Sequence, residues 1–292
     1  MYKIKEKPED FVVKEILNLN KKKKGKYSYF LLKKKNWNTL DLVKKLSKKL
    51  NRDVKYAGLK DKQAVTEQYV SVEGVKEIKF NIKDVSIRKV GEGDEPIILG
   101  GLDGNKFEIV VRNLDSKKNL KINKIENYFD KQRFSEKNVE VGLALLKRNY
   151  SKLIKLLNLK NKEEIFRYDK KILKFVLNSF QSYVFNLVLK EVLEKKIKIK
   201  KLPLINFDTE FENKEIEKTY CEILERDKIK KEDFIFREMP FLVSESKDRE
   251  IFIKVEDFKY RYSKDGSKFK CVLKFKLSKG SYGTLVVKKL FG

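Results

Sequence analysis

The sequence predicts an α+β chain in which a strand-rich domain is interrupted by a mostly helical stretch. Three observations carry that expectation. Apolar residues make up 41% of 292 positions, with 20 Phe and 13 Tyr, enough to bury a sizeable core although 39% are charged. Strand-type composition fills the first third and returns after residue 250. Between them apolar residues recur at helical spacing, most clearly over 170–197, where Val176, Phe180, Val184 and Val188 share a face and read as core. Strands, then helices, then strands indicate α+β rather than an alternating α/β chain. The expected division is 1–144 with 246–292 as one discontinuous domain, and 145–245 as an insertion. No internal repeat is evident.

Each element has a local reason. Residues 11–16 have strand composition and follow Pro8, which breaks the first extended piece. Residues 21–24 are four lysines closed by Gly25, an exposed tip. Residues 27–32 are aromatic and apolar and read as a strand. Asn38 is a helix N-cap with Asp41 three residues on, and Leu40, Val43, Leu46 and Leu50 form one face of that helix. Its other face carries Lys44, Lys45, Lys48 and Lys49, either a solvated face or a ridge for phosphate. Strands are expected over 66–72, 85–90 and 108–112, the last entered through the glycine-rich turn Gly100-Gly101-Leu102-Asp103-Gly104-Asn105. From Leu120 the pattern turns helical, with short amphipathic helices over 139–148 and 151–157, the long helix of 170–197, and another near 215–225. Residues 251–258, 269–277 and 285–289 return to strand character.

Charge narrows the function. The chain has 70 Lys+Arg against 43 Asp+Glu, a formal net charge of +27. A one-sided excess of this size favours a polyanionic partner, of which nucleic acid is the commonest. There is no histidine, and the two cysteines, Cys221 and Cys271, lie far apart in sequence. Imidazole acid–base chemistry and the usual zinc sites are thereby removed. The N-terminus lacks a secretory apolar core and no apolar run approaches membrane-spanning length, so a soluble, cytoplasmic protein without membrane contact is expected; a monomer with no obligate protein partner is the separate expectation for its assembly.

The chemistry that remains centres on the stretch 56–71. Asp61 stands between Lys60 and Lys62 at a turn between apolar segments, with Thr66, Gln68 and Ser71 on the following strand. A carboxylate can act as nucleophile toward a sugar anomeric carbon. Work on a base in folded RNA also needs that nucleotide extruded and an aromatic surface to receive it, for which Tyr56, Phe107 and Phe134 are candidates. On the residues alone, an RNA-binding protein without catalysis and a carboxylate glycosidase remain alternatives. The second is disfavoured by the charge and by the lack of an evident second acid.

The stretch Ala57-Gly58-Leu59-Lys60-Asp61-Lys62-Gln63-Ala64-Val65-Thr66-Glu67-Gln68 resembles the central motif of the TruD family of tRNA pseudouridine synthases. Five further stretches match that family in order: residues 5–15, 104–110, 127–134, 179–186 and 280–284. Asp130 and Ser135 depart from it, standing where the family usually has glycine. The resemblance implies a catalytic domain with a mixed, mainly antiparallel sheet and a helical insertion. It implies isomerisation of uridine to pseudouridine in tRNA, typically at position 13, without cofactor or metal. A different target, such as position 35 of the tyrosine tRNA, is the alternative within the same chemistry. By resemblance Asp61 is the nucleophile, Lys5 its cationic partner, Asn105 a hydrogen-bonding group in the site, and Phe107 the surface on which uracil stacks. Lys60, Thr66, Gln68, Gln132, Arg133 and Phe134 would shape the pocket or meet RNA.

Overall fold

A computed structural model describes residues 1–130 and 136–292, with the side chain of Glu136 excluded. The chain is α+β and forms two compact units, residues 1–125 with 253–292, and residues 126–252. The division falls outside the expected points, 144/145 and 245/246, because α2 (Glu136–Leu146) shares the core of the helical unit. Val141, Ala144 and Leu145 of α2 are buried with the apolar face of α5 (Lys170–Glu194). Gly142 permits this crossing: a Cβ there would lie 2.3 Å from the Val176 carbonyl oxygen.

The first unit is built on one eight-stranded mixed sheet, mainly antiparallel. Its order is β11 (Glu256–Asp265), β12 (Lys268–Ser278), β6 (Gly104–Leu114), β1 (Phe11–Ile16), β4 (Val65–Glu73), β2 (Tyr27–Lys35) and β5 (Val85–Gly93). The short β3 (Val54–Tyr56) also pairs with β4. One pairing matters most for the site. β1 and β4 run parallel, with Val12 opposite Val65 and Val13 opposite Thr66. Parallel neighbours start at the same end of the sheet. The segment before β1 and the loop before β4, remote in sequence, therefore emerge side by side.

Cross-strand register places Lys34, Thr66, Val13, Phe107 and Phe275 in one row, and Leu32, Gln68, Glu15, Asn105 and Leu277 in the next. Side chains alternate between sheet faces, so both rows lie on one face. Two helices cover its ends. α1 (Thr39–Leu50) buries Val43 and Leu46 with Phe30, Leu32 and Val70. It is N-capped by Asn38, whose side chain accepts from Leu40 N, as its sequence predicts. α7 (Gly283–Phe291) buries Val286 and Val287 with Phe107 and Ile109. Residues 285–289, expected as a strand, are thus helix: five residues are too few to display a helical period, and their burial is set by the sheet beneath. The opposite face carries Lys14, Lys33, Lys106 and Lys276, interleaved with Glu67 and Glu108.

The helical unit is organised on α5, whose N-cap Asp169 accepts from Lys171 N and Ile172 N. By length and composition α5 could cross a membrane, but 61% of its most apolar window is buried within the protein. α3 (Tyr150–Leu157), α4 (Lys162–Arg167), α6 (Lys214–Arg226) and the antiparallel pair β8 (Lys201–Leu204) and β9 (Lys247–Glu250) complete it. The stretch 120–130, expected to begin the helices, is instead irregular chain around the short β7 (Lys124–Glu126). The chain returns to the first unit through β10 (Phe252–Lys254).

Candidate active site

The segment before β1 is shaped into a hook. Lys3 and Arg112 exchange backbone hydrogen bonds of 3.0 and 2.8 Å. Lys5 has φ +57, a left-handed conformation uncommon for lysine. A single 3-10 turn at Pro8–Asp10 leads into β1. The Arg112 guanidinium clamps the hook: Nε and Nη2 donate to the two oxygens of buried Asp10 at 2.9 and 2.7 Å, and Nη1 donates to Asp265 at 2.8 Å. Burial pushes the Asp10 carboxyl up, but the Arg112 bonds and the Lys7 amide outweigh it, and the group lies below the usual range. So held, the Lys5 side chain crosses the Phe11 ring, its Nζ 4.1 Å from the centroid, and donates to Asp61 Oδ2 at 2.7 Å. The lysine side chain is 13% exposed and the aspartate side chain 36% exposed. The carboxylate therefore faces solvent, whereas its cation does not.

The Asp61 loop, 57–64, is pinned from beneath by groups on the sheet face. Lys34 is fully buried, and its Nζ donates to the carbonyl oxygens of Trp37 at 2.8 Å, Asp61 at 2.8 Å and Lys60 at 3.4 Å. Burial lowers its pKa to about 8, partly offset by attraction to Asp61. Thr39 Oγ1 accepts from Lys60 N at 3.2 Å and donates to Gln68 Oε1 at 3.1 Å. Gln68 Nε2 in turn donates to Gly58 O at 3.2 Å. Lys60 points inward, donating to Glu15 Oε1 at 2.6 Å, and Glu15 Oε2 accepts from Tyr69 N at 2.9 Å. The two side chains of that ion pair are 5% and 0% exposed. Removing either partner strands a buried charge, at about 3–5 kcal/mol.

These contacts sort the expected site residues. Lys5 and Asp61, 56 positions apart, meet directly. Thr66 and Gln68 are buried beneath the loop, and Asn105 lies beside Glu15 in the same row. Thr66 Oγ1 and Asn105 Oδ1 are buried with no hydrogen-bond partner among the described residues. Lys60 is not a surface cation; the Glu15 carboxylate draws it into the sheet. Phe107, expected as a stacking platform, is 7% exposed, with Phe275 stacked on it at 5.3 Å and Phe11 against it edge-on at 6.2 Å. A Cβ on Gly283 would lie 2.7 Å from the Phe107 ring, so glycine there lets α7 close over it. Gln132, Arg133 and Phe134 lie outside the described residues. Lys34 and Glu15 were not singled out from the sequence. Their signal, a charged residue at an inward position of an alternating strand, emerges only once the register is fixed.

In the helical unit, two stretches that carried the resemblance bond to each other. Asn186 accepts from Phe129 N at 2.8 Å and donates to Phe129 O at 2.9 Å, while the Arg249 guanidinium lies 4.0 Å from the Phe129 ring centre. No group of three or more His, Cys, Asp or Glu among the described residues could hold a metal ion.

The fold is that of a pseudouridine synthase with an insertion domain. A family model described as tRNA pseudouridine synthase D (TruD) matches residues 2–165 and 200–290, and the chain belongs to that family. It is 40% identical over 174 residues to a tRNA pseudouridine synthase D of Aquifex aeolicus, a match covering 52% of this chain and 45% of that protein. A Thermococcus sibiricus protein named "Probable tRNA pseudouridine synthase D" is 28% identical over an alignment of 402 positions, covering 99% of this chain and 94% of that one. A crystal structure from Methanosarcina mazei described as "Putative tRNA pseudouridine synthase D (TruD)" superposes with a TM-score of 0.74 at 22% identity, over 98% of this chain and 92% of that chain, which shows the shared fold.

Proposed function

We propose that the protein isomerises a uridine of tRNA to pseudouridine, with Asp61 as the nucleophile. The observation that carries this reading is the 2.7 Å ion pair between a shielded Lys5 and a solvent-facing Asp61 carboxylate. An exposed carboxylate with its counter-charge behind it suits that role. Oδ2 is occupied by Lys5, and Oδ1 takes no hydrogen bond from the described residues. Membership of the family and the formal charge of +27 favour tRNA as the substrate.

In this reading Asp61 attacks C1′ of the ribose. The N1–C1′ bond breaks and its electron pair leaves with uracil. The base turns within the site, C5 attacks C1′ and displaces the carboxylate, the C5 proton is lost and N1 takes up a proton, so that the product is an isomer of the starting uridine. A route in which Asp61 instead removes the C2′ proton uses the same carboxylate. Asn105 and Thr66, with unpartnered buried oxygens, would receive polar groups of the turning base. Phe107 would act as an apolar floor rather than as an open stacking face. The target proposed is position 13. Chemical mapping of pseudouridine in total tRNA after incubation with the protein tests this, and a new mark there is expected. A mark only at another position corrects the target; no mark in any tRNA leaves a non-catalytic RNA binder as the better reading.

A further inference from the structure

In the first unit, four exposed large apolar side chains lie around the Asp61 loop: Leu40 at 39%, Leu59 at 60%, Ile98 at 66% and Leu99 at 72%. Among the described residues of that unit only Met1 and Tyr260 are otherwise so exposed. Three contacts tie together the segments that bear the four. Gly100 N donates to Ala57 O at 2.7 Å, which ties the turn bearing Ile98 and Leu99 to the start of the Asp61 loop. Leu102 lies against Gly58, and Thr39, next to Leu40, bonds to Lys60 N. Leu59 is itself two residues from Asp61. Exposed aliphatic groups gathered in this way mark a contact surface, whereas scattered ones do not.

The neighbouring charges indicate what the surface meets. α1 begins beside Leu40 and carries Lys44, Lys45, Lys48 and Lys49 outward. None of these has an acid within ion-pair distance among the described residues; Lys45 and Lys49 lie over the rings of Trp37 and Phe80 instead. An apolar lip beside unpaired cations complements a base stack flanked by phosphates. We propose that Leu59, Ile98 and Leu99 form a wedge that fills the gap left in the RNA stack when the target uridine is extruded, while the α1 lysines hold the adjacent phosphates. This rests on the reading of uridine as substrate. Extrusion costs stacking, and an apolar wedge between base steps offsets it. Aliphatic side chains offer no hydrogen bonds, so the wedge opens the stack without reading its sequence.

The test compares two tRNAs: the natural one, and one with an abasic site beside the mapped uridine, whose stack is already open. The Leu59→Ser/Leu99→Ser variant should lose tenfold or more in kcat/KM on natural tRNA, and most of that loss should disappear on the abasic tRNA. Replacing the four α1 lysines with Gln should raise KM on both. A lip variant equally slow on both RNAs, or as fast as wild type on both, overturns the wedge. If wild-type protein forms pseudouridine in neither, the functional reading fails and takes the wedge with it. The lip side chains are exposed, so unfolding temperature should stay close to wild type.

Discussion

Lys34 ties a titration to a geometry. A protonated ammonium has three donors, and here three carbonyl oxygens take them, two of them from Lys60 and from Asp61, the proposed nucleophile. The neutral amine has one donor fewer and turns a lone pair toward an oxygen. Activity should therefore fall as pH rises through about 8, where the folded protein releases this proton. Stability should move the other way. The unfolded chain keeps the proton to the usual lysine value of 10.5, so it binds more protons than the folded state between the two values. Stability from this group consequently rises with pH across that window. Lys34→Met should be at least about tenfold slower, because three carbonyls lose a partner at roughly 1–3 kcal/mol each, and it should lack the alkaline fall seen in wild type. A pH–rate profile of the variant that retains that fall would assign it elsewhere. From the sequence Lys34 is one of three consecutive lysines, and only the pairing of β2 with β4 distinguishes the inward one from Lys33 and Lys35.

At the scale of elements, the hook before β1 depends on Arg112 of β6. Removing the guanidinium leaves Asp10 buried, with the Lys7 amide as its remaining donor. Arg112→Met should cost about 3–5 kcal/mol in urea unfolding at neutral pH. It should cost activity as well, since the hook carries Lys5. Acid separates this from simple packing loss. Asp10 and Asp265 are both held below the usual aspartate range, so their stabilisation is complete above about pH 3.9 and is lost as pH falls below it. Wild type should lose stability through that window, and Arg112→Met should respond less; equal acid sensitivity would contradict the clamp. Elements with long period or clear caps, α1 and α5, are legible in the sequence. Motif resemblance also singles out Asp61 and Lys5, which the structure brings into contact. What was not legible depends on partners distant in sequence. The helix α7 takes its form from the sheet it covers, Lys60 turns inward because Glu15 waits there, and Phe107 is enclosed because Gly283 admits a helix against its ring.

At the scale of the whole molecule, the formal charge of +27 exceeds what its ion pairs need, and it is spread over a chain of 292 residues. Binding to tRNA should release counterions, so affinity should fall by at least about a hundredfold between 50 and 200 mM salt. Fluorescence anisotropy measures this directly, and an affinity indifferent to salt would contradict a phosphate-led encounter. The parallel pairing of β1 with β4 brings Lys5 and Asp61 together at one end of the sheet, and the proposed chemistry depends on that meeting. The most direct test of that claim is tritium release from tRNA labelled at C5 of uridine, in single turnover. Wild type should release tritium, whereas Asp61→Asn should release none above background while binding tRNA with affinity within about threefold of wild type, since one neutralised carboxylate adds no phosphate contact. Release by Asp61→Asn at the wild-type rate would show that the nucleophile lies elsewhere.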